Sequence, residues 1–505
     1  MAMSDLSQVV AGIDSERNIS NIKSEGAVMT ATLGEQETVQ AAVQRAREAA
    51  AWWSGLGFRG RRERLLAWKH AIAGGLDDLA AVISAETGKP TADAVLEVML
   101  AVENLDWSAR HAAKVLRRRR VGSGILAANQ ASTVEYHPLG VVAAIGPWNY
   151  PVYTPLGAIA SALAAGNAVV FKPSEFTPRT GEWLAAAWPG PQPVLQTVTG
   201  DGSVGAALCR AGVDKVTFTG SAATGRRVMA ACAETLTPVV IEGGGKDALI
   251  VAADADLGAA VRAAAFGGFG NAGQTCAGVE RVYVVREVYQ DFLARLGALA
   301  ETVRPGEADG PYGRMTTGAQ VEIVRRHIGA AVEAGARQVV GGPESVTPPY
   351  VSPVVLAEVP EDNVAVTEET FGPTLVVNPV DSLDEAIARA NATRYGLAAS
   401  VFSRDQKRAV AVARRLRTGA VSINSVLGFA AVPALPFGGV GDSGFGRVHG
   451  ADGLREFSRA QSMTRQRFSP PIDLMRFDRG ATALHRARAA FRLRHAPRRR
   501  ASPDA

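Results

Sequence analysis

The chain has 505 residues, 47% of them apolar and 20% charged, with a mean hydropathy of +0.05. This ordinary globular composition excludes collagen-like and low-complexity chains, and the length is too great for one simple core, so two or three domains are expected. The net charge of +5 is concentrated at one end: nine arginines against two aspartates give the last thirty residues +7, leaving −2 on the rest, so the body carries no basic footprint for nucleic acid.

Cys209, Cys232 and Cys276 are odd in number and widely spaced, without a C-x-x-C pair or a histidine cluster. Neither a disulfide framework nor a metal site is indicated, and a reducing cytoplasm is the expected setting. The start MAMSDLSQVV lacks the basic and apolar blocks of a secretory signal, and no apolar run is long enough to span a bilayer.

In chain order, apolar positions recur every three or four residues from about 36 to 118, which predicts helices, with Gly88-Lys89-Pro90 as a stop. The basic run Arg117 to Arg120 leads into a short β-rich stretch ending in STVEYHP, read as a protruding arm. Next, the apolar runs GVVAAIGP, AVVFKP, PVLQTVTG, KVTFTGS and PVVIEGGG alternate with helical or turn segments near 155–165 and 222–234, which predicts a parallel α/β sheet. A second α/β set follows: ALIVAADAD, helices near 256–267, 288–304 and 316–335, the strand VERVYVV, and strands around 375, 399 and 421. No repeat of 20 to 50 residues is evident.

Five fragments could carry chemistry. TFTGSAATG (217–225) sets a Gly-Ser turn between a strand and a helix, where free N–H groups and the helix dipole favour a phosphate, although such a turn also serves plain packing. FKPSE places Lys172 and Glu175 just past a buried strand, where α/β ligands bind and a carboxylate can accept ribose hydroxyls; a solvated turn is the plain alternative. Cys276 lies in a small-residue loop between helix and strand, unlike Cys209 and Cys232 in helical patterns, and is a candidate nucleophile. Glu242 ends an apolar strand before three glycines and is either a base tuned by burial or a partner of Lys246. Asn149, after Pro147 and Trp148, could donate to an oxyanion.

Together these fragments resemble the aldehyde dehydrogenase superfamily: PWNYP (147–151), FKPSE (171–175), FTGSAATG, EGGGK (242–246) and NAGQTC (271–276) occur in the family's order. EETFGP (368–373), Asn424 in SINS, and PFGGVGDSGFGR (436–447) extend the likeness from about residue 30 to 465, with a C-terminal motif similar to the benzaldehyde and fatty aldehyde branch and to bacterial succinic semialdehyde dehydrogenases. The resemblance implies an α/β fold with a Rossmann-type cofactor domain, a second α/β catalytic domain and a β-arm for oligomerisation. The expected boundaries are 1–120 (helical part of the cofactor domain), 121–137 (arm), 138–242 (dinucleotide-binding core), 243–440 (catalytic domain), 441–475 (return to the cofactor domain and second oligomerisation strand) and 476–505 (Arg-rich disordered tail).

It further implies Cys276 as nucleophile, Asn149 with the Cys276 N–H as oxyanion hole, and Glu242 as general base. Trp148, Lys172, Glu175, Gly220, Ser221, Gly225, Gly243, Glu369 and Phe371 would hold the cofactor, NAD being favoured over NADP because a carboxylate at Glu175 repels a 2′-phosphate. Gly243 departs from the family's usual leucine and is expected to loosen the base. Gly157 leaves room for a tunnel walled by Tyr150, Tyr153, Phe429 and Phe437, suited to aromatic or aliphatic aldehydes. An acyl-coenzyme A-forming dehydrogenase, a succinic semialdehyde dehydrogenase and a non-catalytic protein on the same scaffold are the alternatives. A homodimer or homotetramer is expected, without nucleic acid. Leu484, Ala487 and Phe491 could face an anionic membrane, but a solvated tail without stable membrane attachment is favoured.

Overall fold

A computed structural model describes residues 31–306, 310–470 and 475–496. Four helices come first, Leu33–Gly55, Gly57–Gly74, Leu76–Thr87 and Thr91–Val115. The first begins in a capping box, Thr32 Oγ1 accepting from Glu35 N while Glu35 returns a bond to Thr32 N. The third stops at Gly88, left-handed at φ 81°, as the Gly-Lys-Pro signal predicts. The first packs on the strands of the first sheet, while the second and fourth pack on the helix Tyr153–Ala165. Trp53 and Trp68 sit edge-on to Trp188 and donate indole N–H bonds to the carbonyls of Leu163 and Leu184.

The first sheet has six strands in the order Gly444–Phe445, Val239–Glu242, Lys215–Thr219, Val141–Ile145, Ala168–Lys172, Leu195–Thr197. All pairings are parallel except that of Gly444–Phe445. Chain order reverses beside Val141–Ile145, so the crevice at its carboxyl end, with that of Lys215–Thr219, is the switch point where such sheets bind ligands. Both PWNYP and the Gly220-Ser221 turn leave the sheet there. The helices Tyr153–Ala165 and Ala222–Ala233 follow them.

The second sheet has seven strands: Arg337–Val340, Val354–Ala357, Thr374–Val380, Val279–Val285, Asp247–Val251, Ala398–Phe402, Ala420–Ile423. Only the edge pairing of Arg337–Val340 is antiparallel. Asp247–Val251 and Val279–Val285 are buried at every residue, as strands covered on both faces must be. The chain passes from the first sheet to the second through residues 243–246 and returns through residues 424–443.

A third, antiparallel sheet orders Arg119–Val121, Gln130–Pro138 and Ser458–Gln466. The arm therefore starts two residues before the expected 121 and recruits Ser458–Gln466, which is exposed along nearly all its length. The tail differs from expectation: Ala481–His495 is a helix, not a disordered segment. Five alanines, two leucines and four arginines in that stretch are strong helix formers, and this outweighs the repulsion between arginines. Residues 497–505 lie outside the described residues. Among the described residues no helix is long and apolar enough to cross a membrane.

Candidate active site

Glu242 is the last residue of Val239–Glu242, 4% exposed. Among the described residues its carboxylate has no hydrogen-bond or ion-pair partner, and burial alone pushes its pKa up to about 7. The alternative pairing with Lys246 is not formed: the Lys246 ammonium binds Glu280 and, at 3.0 Å, Thr370 Oγ1.

Cys276 follows a tight loop that begins at Asn271. Asn271, Ala272 and Gly273 are all left-handed, and a Cβ on Gly273 would lie 2.0 Å from the Gly372 carbonyl oxygen, so this position admits only glycine. Burial, then the carboxylates of Glu242, Glu369 and Asp247, push the thiol well above its usual range, while the Ala277 N–H draws it down. Asp247 is itself pushed well up by burial, and its Oδ2 has no partner.

Asn149 is buried and donates to the Gln274 carbonyl (2.9 Å), two residues before Cys276, which leaves its second amide N–H uncommitted. Its own carbonyl accepts from Lys89 Nζ (2.8 Å) and Asn271 Nδ2 (3.2 Å). Lys89 pairs with Glu97 at 2.6 Å, and Glu97 accepts from Val152 N and Tyr153 N. A buried ion pair thus fixes the PWNYP segment against the cysteine loop; the sequence showed Lys89 only as part of a helix stop.

Glu242 and Cys276 line one cavity of about 380 Å³. Tyr150, Tyr153, Phe429 and Phe437 all line it, with Phe429 and Phe437 stacked at 5.4 Å and the Tyr153 hydroxyl donating to the Ala430 carbonyl. Among the described residues no lysine or arginine reaches the lining, and of its carboxylates Glu97 is paired with Lys89. His449, unremarked in the sequence, is also in the wall, 6% exposed, with no partner for Nε2 and a pKa pushed down to about 4 by burial.

On the cofactor side, Ser221 caps the helix Ala222–Ala233 by accepting from Thr224 N, and no acid lies in its first turn, a terminus suited to a diphosphate. Gly220 and Gly225 flank it, pressed on Phe218 and Ile241, so their lack of Cβ brings helix and strand together. Lys172 is buried with Nζ 4.0 Å from the half-exposed Glu175. Trp148 meets Phe371 edge-on at 5.5 Å. Glu369 Oε1 accepts from Gly245 N at 3.0 Å; burial and then Glu280 push Glu369 up to about 8. A Cβ on Gly244 would lie 1.9 Å from that oxygen. Gly243 is not a loose joint: its N–H donates to the Ser443 carbonyl (3.0 Å), and its Cα faces Asp442 so closely that a Cβ would sit 2.6 Å from the Asp442 carbonyl oxygen.

Glu280 has no counterpart in the sequence reading. It accepts from Lys246, from Thr370 N (2.8 Å) and from Phe371 N (2.9 Å), and so ties the Gly243–Lys246 link and the Glu369–Phe371 segment to the strand that follows Cys276. Glu280→Ala is expected to cost about 3–5 kcal/mol by stranding Lys246, and the paired Lys246→Met/Glu280→Leu variant clearly less. Urea midpoints would decide; equal losses would mean that the pair contributes only packing.

The two α/β sheets, with a crevice at the switch point and one cavity lined by a thiol and a buried carboxylate, are the architecture of a nucleotide-binding α/β protein. The aldehyde dehydrogenase family model matches residues 13–463, and the chain belongs to that family. A 4,4′-diapolycopene aldehyde oxidase of Methylomonas sp is 40% identical over 83% of this chain and 80% of its own length. A putative succinate-semialdehyde dehydrogenase [NADP(+)] of Mycolicibacterium smegmatis is 35% identical over 88% of each. The solved structure of an indole-3-acetaldehyde dehydrogenase with NAD+ superposes with a TM-score of 0.81 at 32% identity, covering 85% of this chain and 89% of that one. The chain is accordingly an NAD(P)-dependent aldehyde dehydrogenase.

Proposed function

We propose that the chain oxidises apolar aldehydes, aromatic or long aliphatic, to the free acid through a Cys276 thioester that Glu242-activated water hydrolyses. The observation that carries this reading is one apolar cavity into which the thiol and an unpartnered, buried carboxylate both open.

The Cys276 sulfur, once its proton is taken, adds to the aldehyde carbon, and the oxyanion is held by the Asn149 amide and the Cys276 N–H. Nicotinamide, when bound, supplies the hydride acceptor. Ser221, Gly220 and Gly225 would take the diphosphate, Lys172 and Glu175 the adenosine ribose, and Trp148, Gly243, Glu369 and Phe371 the nicotinamide end. Glu242, free of any cation, then removes a proton from water as it attacks the thioester. Because Glu242 is present and faces the cavity, hydrolysis is favoured over transfer to coenzyme A.

The units 138–242 and 243–440 follow the two sheets, one holding cofactor and the other the thiol. Ser458–Gln466, paired on one side only, offers the free edge by which copies would join as a dimer or tetramer. Glu175 supports NAD over NADP, although the mycobacterial relative's name carries NADP(+).

For the substrate, the absence of any lysine or arginine from the lining among the described residues argues against a carboxylate-bearing aldehyde, and the Methylomonas relative is named for 4,4′-diapolycopene aldehyde. Decanal and benzaldehyde are expected to exceed succinic semialdehyde in kcat/KM by about 100-fold or more, since an unpaired carboxylate would enter an apolar wall. NADH formation and acid analysis without coenzyme A measure this; preference for succinic semialdehyde would overturn the substrate assignment, and no acid from any aldehyde the reading itself.

A further inference from the structure

We propose that the C-terminal helix Ala481–His495 is a docking surface for an anionic lipid bilayer. The helix buries none of its residues. Leu484, Ala487 and Phe491 follow one another at spacings of three and four, which sets them on one stripe. Leu484 is 40% and Phe491 57% exposed, with Ala487 half-buried between them, so both large apolar side chains of the stripe face solvent. Arg488, one turn beyond Leu484, and Arg494, three residues beyond Phe491, flank it, and Arg486 and Arg492 extend the charge around the helix.

The helix contains no acidic residue, and its last turn is basic, which complements its own dipole. Four guanidinium groups around an apolar stripe match a surface with phosphate charge outside and hydrocarbon beneath. A nucleic acid would satisfy the arginines and leave the leucine and phenylalanine in water. Lipid satisfies both, and the arginine stems can lie along the acyl boundary with their heads at the phosphates. The chain thus combines two weak signals, basic charge and a short apolar face, which is what reversible attachment requires. For an enzyme of apolar aldehydes the bilayer is where substrate partitions; that consequence rests on the proposed function, whereas the binding does not.

The test is co-sedimentation of the full chain with vesicles of pure phosphatidylcholine or of phosphatidylcholine containing one quarter phosphatidylglycerol, in low and high salt, without aldehyde or cofactor. The bound fraction is expected to be at least about tenfold higher with the anionic vesicles and to fall by a similar factor in high salt. Arg486→Glu/Arg488→Glu/Arg492→Glu/Arg494→Glu should abolish binding, and Leu484→Ser/Phe491→Ser should weaken it several-fold at low salt. All these side chains are solvent-facing, so unfolding midpoints and hexanal oxidation should stay at wild-type values. The salt and lipid dependence of the unaltered chain tests the proposal even if a variant folds poorly. Failure of the wild type to sediment with anionic vesicles, or undiminished binding by the charge-reversed variant, would overturn it. So would arginine-dependent capture of an oligonucleotide, or self-association through this helix, in the absence of vesicle binding.

Discussion

Glu242→Gln is expected to oxidise about one aldehyde per site and then stall, giving a burst of NADH followed by a steady state lower by about 10²–10⁴-fold. Glutamine keeps the shape of the buried side chain and cannot accept a proton, so the thioester forms and persists. Cys276→Ala should show neither burst nor turnover, which separates loss of the nucleophile from loss of the base. Because burial holds the Glu242 carboxyl at about 7, acid release in the wild type should rise with pH through that value, and the raised Cys276 thiol adds a further rising limb above it.

Stability should move the other way. A carboxyl whose folded pKa is raised binds more protons folded than unfolded between its ordinary value and about 7, so it loses stability as pH rises through that window. Glu242→Gln removes the penalty and should unfold later than wild type above pH 7, by on the order of 3 kcal/mol at most. A variant that turned over at the wild-type rate would move water activation elsewhere, and Glu369, whose pKa is also raised and whose charge bears on the Cys276 thiol, would be the next carboxyl to test.

What the sequence made legible was whatever its local patterns record. Strand-forming runs such as VVAAI and VERVYVV are read from burial on both faces, and the caps at Gly88 and Ser221 from residue types whose backbone preferences are intrinsic. Of the motif residues, Glu242 ends a strand and Asn149 lies in the loop beyond one, whereas Cys276 and Phe371 lie in the loops that lead from a helix into a strand. Long-range partners were not legible. Lys246 looked like a partner for Glu242 four residues away, but in a strand-end turn its side chain reaches Glu280, 34 residues on. Lys89 read as part of a helix stop and Glu97 was not singled out, and their joint task of holding the Asn149 segment depends on how the helix Thr91–Val115 packs. The freedom expected of Gly243 is a property of an isolated glycine; here Asp442 and Ser443, two hundred residues later, press on it. The tail was read as disordered from its low apolar content and the mutual repulsion of its arginines, and helix propensity outweighs both over Ala481–His495.

Gly157 links sequence to substrate choice, and Gly157→Ala is expected to cut kcat/KM for benzaldehyde and decanal by about 10–100-fold while acetaldehyde loses only a few-fold. Gly157 lies inside Tyr153–Ala165, where alanine would be the better helix former by about 0.5–1 kcal/mol. A Cβ there would fall 2.1 Å from His449 Nε2 and 2.4 Å from its Cδ2, so the imidazole fills the space that a side chain would take. The ring has little room to retreat, being edge-on to Tyr153 at 5.6 Å and near-parallel to Phe437 at 6.3 Å, both walls of the same cavity. Displaced by a methyl, it must move into the aldehyde's path. Neutral His449 contributes no charge near pH 7, so the loss should track aldehyde size and not pH. Gly157→Ala/His449→Ala should recover most of the activity on large aldehydes, because the second change vacates what the first overfills. A uniform loss on all aldehydes, unrelieved in the double variant, would mean that the methyl disturbs the helix and not the tunnel.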